Sequence, residues 1–275
     1  MQVLQTTDFF SGGALTHTRN ETKTTSKYKT ISSLTIAGIL QSHPYDFKLI
    51  ETSISKPRKE SNKGFQKHIM VFDTGYTIDD QNTITLLVTN SYDGMQSLQF
   101  NLGIFRTVCA NGLIVGDSLF KSRILHKGES VEQQLAAMFY ELAECLPKLF
   151  ENVVKMQTTP LENQSALMFV ESVLDFTYSD TLDRYEIDST SIADALQVRR
   201  LQDHDASVYN LFNRVQENVC KKGVRLLARP STMETQRSIK PYRKMRPIKN
   251  IDRYKKVNAF MWDNAVNLTK LGATG

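Results

Sequence analysis

The chain has 275 residues, 40% of them hydrophobic and 23% charged, with a formal net charge of +5. That composition suits a globular protein able to bury a full core, and apolar runs such as Leu86-Leu87-Val88 are too short to span a bilayer as a helix. The first residues show neither the basic start nor the long apolar core of a secretory signal. Cys109, Cys145 and Cys220 are odd in number and widely spaced, which fits a reducing cytoplasm better than a disulfide scaffold.

Residues 1–30, rich in Thr, Ser, Gly and Asn and without periodicity, read as a flexible N-terminal arm. A single α+β domain with one continuous core is expected over 31–275, sheet-rich at 31–128, helical at 129–222, with a basic arm at 223–256 and a C-terminal helix at 257–271. Ser33 is placed to cap a short helix over 34–41, which His43-Pro44 ends. Strand-like stretches follow at 47–54, at 68–72 with a stop at Asp73-Thr74-Gly75, at 83–88 and at 98–108. Their short, turn-rich connections argue an antiparallel sheet of about four strands. In the fourth, Leu98, Phe100, Leu102 and Ile104 share one face, and Gly103 suggests a bulge or a close approach by another backbone. Cys109-Ala110-Asn111-Gly112 reads as a turn before Leu113-Ile114-Val115.

The period then changes. Leu135, Met138, Leu142, Leu146, Leu149 and Val153 fall in steps of three and four, one face of an amphipathic helix that Pro147 should kink or split. That helix serves a core, or an oligomer interface. Pro160 suits the first turn of the next helix, Ser189 or Thr190 the cap of a third, and Asp203 or Asp205 the start of a fourth. The fourth ends at Cys220-Lys221-Lys222-Gly223, where cations meet the helix terminus and glycine takes a left-handed stop.

Reactive constellations are sparse. Gly112-x-x-x-Gly116 and Gly12-Gly13 lack the lysine and the third glycine of a phosphate-cradling loop. The histidines are scattered and no cysteines are paired at zinc-ligand spacing, so neither a metal nor a cofactor is implied. Asp203-His204-Asp205 reads as a helix start before it reads as a metal site. Cys109 with His126 could form a nucleophile pair, but a strand-end cysteine packed as a small apolar residue accounts for it as well. A non-enzymatic role is favoured.

Charge distribution is more informative. Residues 221–256 hold 13 Lys or Arg against Glu234 and Asp252, a surplus of 11 that leaves the rest of the chain at about −6. A basic segment on an acidic body favours a polyanionic partner. In this reading Lys240, Arg243, Lys244, Arg246, Lys249, Arg253, Lys255 and Lys256 hold phosphates, while Tyr242 and Tyr254 stack on unpaired bases. Arg106 and Asn111 are secondary candidates; a buried, satisfied charge and a plain turn residue are the alternatives for them. The competing account of the whole segment is a solvated loop that balances the acidic stretch from Asp175 to Asp194.

Five stretches carry a resemblance: Ser26-Lys27-Tyr28, Asn90-Ser91-Tyr92-Asp93-Gly94, the run from Phe105 through Arg106, Cys109 and Asn111 to Leu113, the run from Phe212 to Asn218, and the run from Trp262 to Thr269. Together they resemble the phage/plasmid-like protein family, a domain of unknown function found on bacteriophages and plasmids. The resemblance implies a mobile-element protein of the bacterial cytoplasm. A looser likeness is to phage single-strand annealing proteins, which pair a small antiparallel sheet with helices and bind DNA in a basic groove, although fold alone does not fix function. The expected function is binding or annealing of single-stranded DNA in replication or recombination. The alternative is an accessory protein that binds a host protein, such as a defence-system inhibitor. A nuclease would need a carboxylate cluster that the sequence does not present.

Overall fold

The computed structural model describes residues 24–45, 47–54, 60, 63–79, 82–94, 96–106, 120–126, 131–229 and 241–271. The fold is α+β, an N-terminal antiparallel sheet followed by a mostly helical half. The chain divides into two compact units, Met1–Phe150 and Glu151–Gly275.

The N-terminal unit opens with helix α1 (Ser33–Gln41), whose cap is Ser32, not Ser33; the Ser32 hydroxyl accepts the Thr35 N–H at 3.4 Å. Ser33 faces inward and is consumed by a buried network. Strands β1 (Lys48–Ile54), β2 (His68–Asp79), β3 (Asn82–Asn90), β4 (Leu98–Arg106) and β5 (Lys121–Ile124) form one antiparallel sheet in chain order. Strand β5 goes beyond the four expected; its Lys-Ser-Arg-Ile sequence has no apolar alternation to reveal it, and only its pairing with β4 defines it. Strand β2 does not stop at Gly75. That glycine, at φ 77°, sits in a register shift between Asp73 and Thr77, and the Thr74 hydroxyl donates to the Ile84 carbonyl at 2.7 Å, so pairing resumes beyond it. No bulge occurs at Gly103, which faces Thr85 in unbroken register. Leu98, Phe100, Leu102 and Ile104 are buried on one face, as the period of two requires. The predicted turn at 109–112 and the strand after it lie outside the described residues.

Helix α2 (Val131–Thr158) is a single helix; Pro147 does not split it. Proline cannot donate to the carbonyl four residues back. The Tyr45 hydroxyl lies 3.5 Å from that carbonyl, on Ala143, and points its O–H at the released acceptor.

Behind β2 and β3 lies a chain of buried polar groups. His68 Nδ1 donates to the Gln66 carbonyl at 3.0 Å, so Nε2 accepts, and Ser33 Oγ donates to it at 2.6 Å. Asn90 Nδ2 donates to Ser33 Oγ at 3.0 Å and to the Ile31 carbonyl at 2.9 Å, while Asn90 Oδ1 accepts the Ser91 N–H at 2.9 Å. His126 Nε2 meets the same Oδ1 at 3.0 Å, and its Nδ1 meets the Lys29 carbonyl at 3.1 Å. Tyr28 stacks on His126 with ring centroids 4.8 Å apart and donates to the Ser91 carbonyl at 3.1 Å. The Tyr92 hydroxyl closes the set by accepting the Ser33 N–H at 2.8 Å. Each buried group has its partner, which is the condition for a polar network to stabilise a core.

In the C-terminal unit, α3 (Asn163–Tyr178) starts after Pro160, which instead bridges to Ser207. Asp188 caps α4 (Ser189–Leu196) through a capping box with Ser191, and Ser207 caps α5 (Val208–Gln216). Neither Ser189, Thr190, Asp203 nor Asp205 takes these roles; Asp203 closes a separate 3₁₀ turn, Leu201–Asp203. Helix α5 runs into a π-turn, Glu217–Lys222. Gly223 ends it at φ 72°, ψ 143°, so the φ is positive but the conformation is not the left-handed helical stop. Strands β6 (Tyr185–Glu186), β7 (Arg225–Ala228) and β8 (Tyr242–Lys244) form a small antiparallel sheet. The last helix, α6 (Ile251–Leu271), starts earlier than the expected 257, because Asn250 caps it by accepting the Arg253 N–H at 2.8 Å. Trp262, 1% exposed, meets Phe212 edge-on at 5.8 Å, and Phe176 stacks on Phe260 at 4.1 Å.

Candidate nucleic-acid interface

The basic segment is built into the C-terminal unit along its described part. Residues 242–244 pair with β7, and the following stretch is pinned by Met245 N–H to the Val224 carbonyl at 2.8 Å and Ile248 N–H to the Cys220 carbonyl at 2.9 Å. Gly223 makes the first of these possible. A Cβ there would stand 1.9 Å from the Met245 carbonyl oxygen, so only glycine admits this approach.

The candidate cations divide into two groups. Arg243 lies over the Tyr185 ring at 5.6 Å and donates to its hydroxyl at 2.7 Å. Arg253 donates to the Thr177 carbonyl and reaches Asp180 at 3.3 Å. Lys255 is half-buried, and Lys244, though exposed, lies close enough to Asp194 to add to the depression of its carboxyl that Arg225 mainly causes. Arg246, Lys249 and Lys256 form the second group: exposed, and without an ion pair to any described residue. Arg246 and Lys249 flank an open groove of about 230 Å³ that Tyr178, Thr181, Pro247 and Arg253 also line.

Both aromatic candidates are anchored by their hydroxyls. Tyr242 donates to Asp188 Oδ2 at 2.8 Å and accepts from Thr190 at 3.0 Å. Desolvation works against the Asp188 charge, yet hydrogen bonds from Ser191, Tyr242 and Thr190 hold its carboxyl below the usual range. The Tyr254 hydroxyl accepts from Gln216 at 2.6 Å, and burial pushes its pKa well above that of a free phenol. Arg106 closes β4 in the N-terminal unit. Lys240 and Asn111 lie outside the described residues, as does Cys109.

Two arginines that sequence reading passed over complete the support. Asn218, in the π-turn, donates to the carbonyls of Ala195 at 3.0 Å and Gln197 at 2.8 Å and accepts from Arg199. Glu217 pairs with Arg200 at 2.7 Å; burial opposes its charge, but Arg200 keeps the carboxyl below its usual range. The clue was three adjacent buried polar residues, Gln216-Glu217-Asn218, where a regular amphipathic helix would turn at least one outward.

A family model described as a domain of unknown function matches residues 23–258. The chain belongs to the DUF932 family. The match extends just past Lys256, so the basic segment lies within the DUF932 region. Two Escherichia coli K12 proteins are similar to this DUF932 member. UPF0380 protein YfjQ is 27% identical over 199 residues, covering 72% of this chain and 70% of its own length. UPF0380 protein YafZ is 26% identical over 199 residues, with the same coverage. No solved structure matches the chain. Among the described residues, no helix is long and apolar enough to cross a membrane.

Proposed function

We propose that this DUF932 member binds nucleic acid without cleaving it, single-stranded DNA in preference, through the basic edge of its C-terminal unit. The observation that carries the reading is the second group of cations. Arg246 and Lys249 are exposed on a backbone pinned to Val224 and Cys220, Lys256 is exposed on α6, and none of the three forms an ion pair among the described side chains. Charges held this way lose little entropy on meeting phosphates, and they release counterions when they do. Tyr242 and Tyr254 serve the surface as anchors, Tyr242 for the strand that leads into it and Tyr254 for the first turn of α6. The resemblance to phage/plasmid-like proteins makes replication or recombination of a mobile element the natural setting.

The test is fluorescence anisotropy of a labelled single-stranded oligonucleotide at several salt concentrations, with a duplex competitor. Three phosphates engaged by Arg246, Lys249 and Lys256 give a log K against log salt slope of about −2. The Arg246→Ala, Lys249→Ala, Lys256→Ala variant should flatten that slope by about 2. Absence of binding at low salt, or a slope the variant leaves unchanged, overturns the reading and turns attention to a host protein partner.

A further inference from the structure

The N-terminal unit carries a second polar site, distinct from the basic segment. An open pocket of about 470 Å³ is lined by Lys27, Tyr28, Gln96, Ser97, Arg123 and His126 among others, a size that suits a small-molecule ligand. Three of these side chains are basic, and no carboxylate lines the pocket among the described residues. Asp93 lies close enough to raise the Tyr28 phenol, behind burial and Tyr92, but it is not part of the lining. Arg123 spends its Nε on Ser97 Oγ at 2.8 Å, and its remaining guanidinium donors have no partner among the described residues.

The floor of the pocket is unusual. His126 is 7% exposed, and its two ring nitrogens face Asn90 Oδ1 and the Lys29 carbonyl. The Asn90 amide cannot be turned over, because its Oδ1 takes the Ser91 N–H and its Nδ2 gives to the Ile31 carbonyl. Both oxygens therefore only accept, so a neutral His126 ring can donate to one of them and not to both. Burial holds the His126 pKa below its ordinary value, with the Lys29 carbonyl opposing that shift, and no described carboxylate pairs with the ring. Two exposed cations, Lys27 and Arg123, in a pocket with no acid in its described lining are completed by an anion from outside.

We infer that this pocket is a binding site for a phosphomonoester, held by Arg123 and Lys27 and by the Ser97 and Gln96 side chains, with His126 as part of its wall. The phosphate group is the shared chemistry; a free mononucleotide and the 5′-phosphorylated end of a DNA strand are its two sources. The site does not depend on the basic edge of the C-terminal unit.

Isothermal titration calorimetry of the full chain tests it with three probes: inorganic phosphate, thymidine 5′-monophosphate, and a dinucleotide with a 5′-phosphate set against its 5′-hydroxyl counterpart. Wild-type protein should bind at least one probe, and the Lys27→Gln, Arg123→Gln variant should weaken that binding at least about tenfold. Both side chains are exposed, so the variant keeps its fold, which circular dichroism verifies. Equal affinity for phosphate and the mononucleotide assigns recognition to the phosphate group alone. Tighter binding of the mononucleotide assigns a nucleotide, and tighter binding of the phosphorylated dinucleotide than of either assigns a strand end. The Arg246→Ala, Lys249→Ala, Lys256→Ala variant should keep wild-type affinity for the probe, which separates this site from the DNA-binding edge. Failure of all three probes to bind, or equal affinity in wild type and the Lys27, Arg123 variant, overturns the inference.

Discussion

Asn90→Ala removes the hub of the buried network in the N-terminal unit, and its cost follows from the bonds it breaks. Asn90 donates to Ile31 and Ser33 and accepts from Ser91 and His126, all between 2.9 and 3.0 Å. At about 1 kcal/mol net for each bond, the loss is about 4 kcal/mol, and stranded partners in a site closed to water add to it. That is a large share of the roughly 5–15 kcal/mol that holds a domain together. Asn90→Asp should cost at least as much: a carboxylate oxygen would face the Ile31 carbonyl in place of the amide donor, and its charge would be buried. Urea unfolding followed by far-ultraviolet circular dichroism reads both. Trp262, buried in the C-terminal unit, follows that unit by its fluorescence. A loss below about 1 kcal/mol for Asn90→Ala would show that the network is not bonded as described.

Two further outcomes are expected. Gly223→Ala forces a side chain into a positive φ and against the Met245 carbonyl, so it should destabilise the C-terminal unit by at least about 2 kcal/mol and weaken DNA binding by displacing residues 245–250. Thermal unfolding read by Trp262 fluorescence, with anisotropy on the same variant, checks both effects. His68 is held neutral by burial and by accepting from Ser33, so its folded pKa lies below the ordinary value. The unfolded chain then takes the proton first, and the stabilisation present above about pH 6.5 is lost as pH falls from there toward the folded pKa. His68→Gln should flatten the decline in stability between roughly pH 6.5 and 5 relative to wild type; an unchanged slope would place the titration elsewhere.

Periodicity located most of the elements and missed what long-range bonds decide. The alternation of Leu98, Phe100, Leu102 and Ile104 and the three-four spacing of α2 survive intact, because each reflects burial of one face. Strand β5 has one buried apolar residue, Ile124, and exists through its neighbour's unpaired edge, so no local pattern announces it. Caps slid to Ser32, Asp188 and Ser207 because adjacent serines and aspartates offer the same chemistry, and tertiary bonds choose among them. The cationic segment was plain in the sequence. Which of its charges are spent was not, since Asp180 and Tyr185 reach Arg253 and Arg243 only through the fold. The Asn90-Ser91-Tyr92 and Ser26-Lys27-Tyr28 stretches stood out as motifs, and the structure explains their company: Tyr28, Asn90, Ser91 and Tyr92 are joined in one network across about sixty residues of chain.

The π-turn at Glu217–Lys222 is in effect one residue too many for a regular helix. Residues before and after such an insertion are out of step by about 100°, the angle one residue occupies on an α-helix. Gln216, just before the turn, holds Tyr254 of α6; Cys220, within it, holds Ile248 of the basic stretch. The extra residue therefore works as a phase shifter. It lets one continuous rod address the start of α6 from one azimuth and the cation-bearing strand from another. Deleting a single residue there would leave every charge in the sequence while rotating the grip on the segment that carries them.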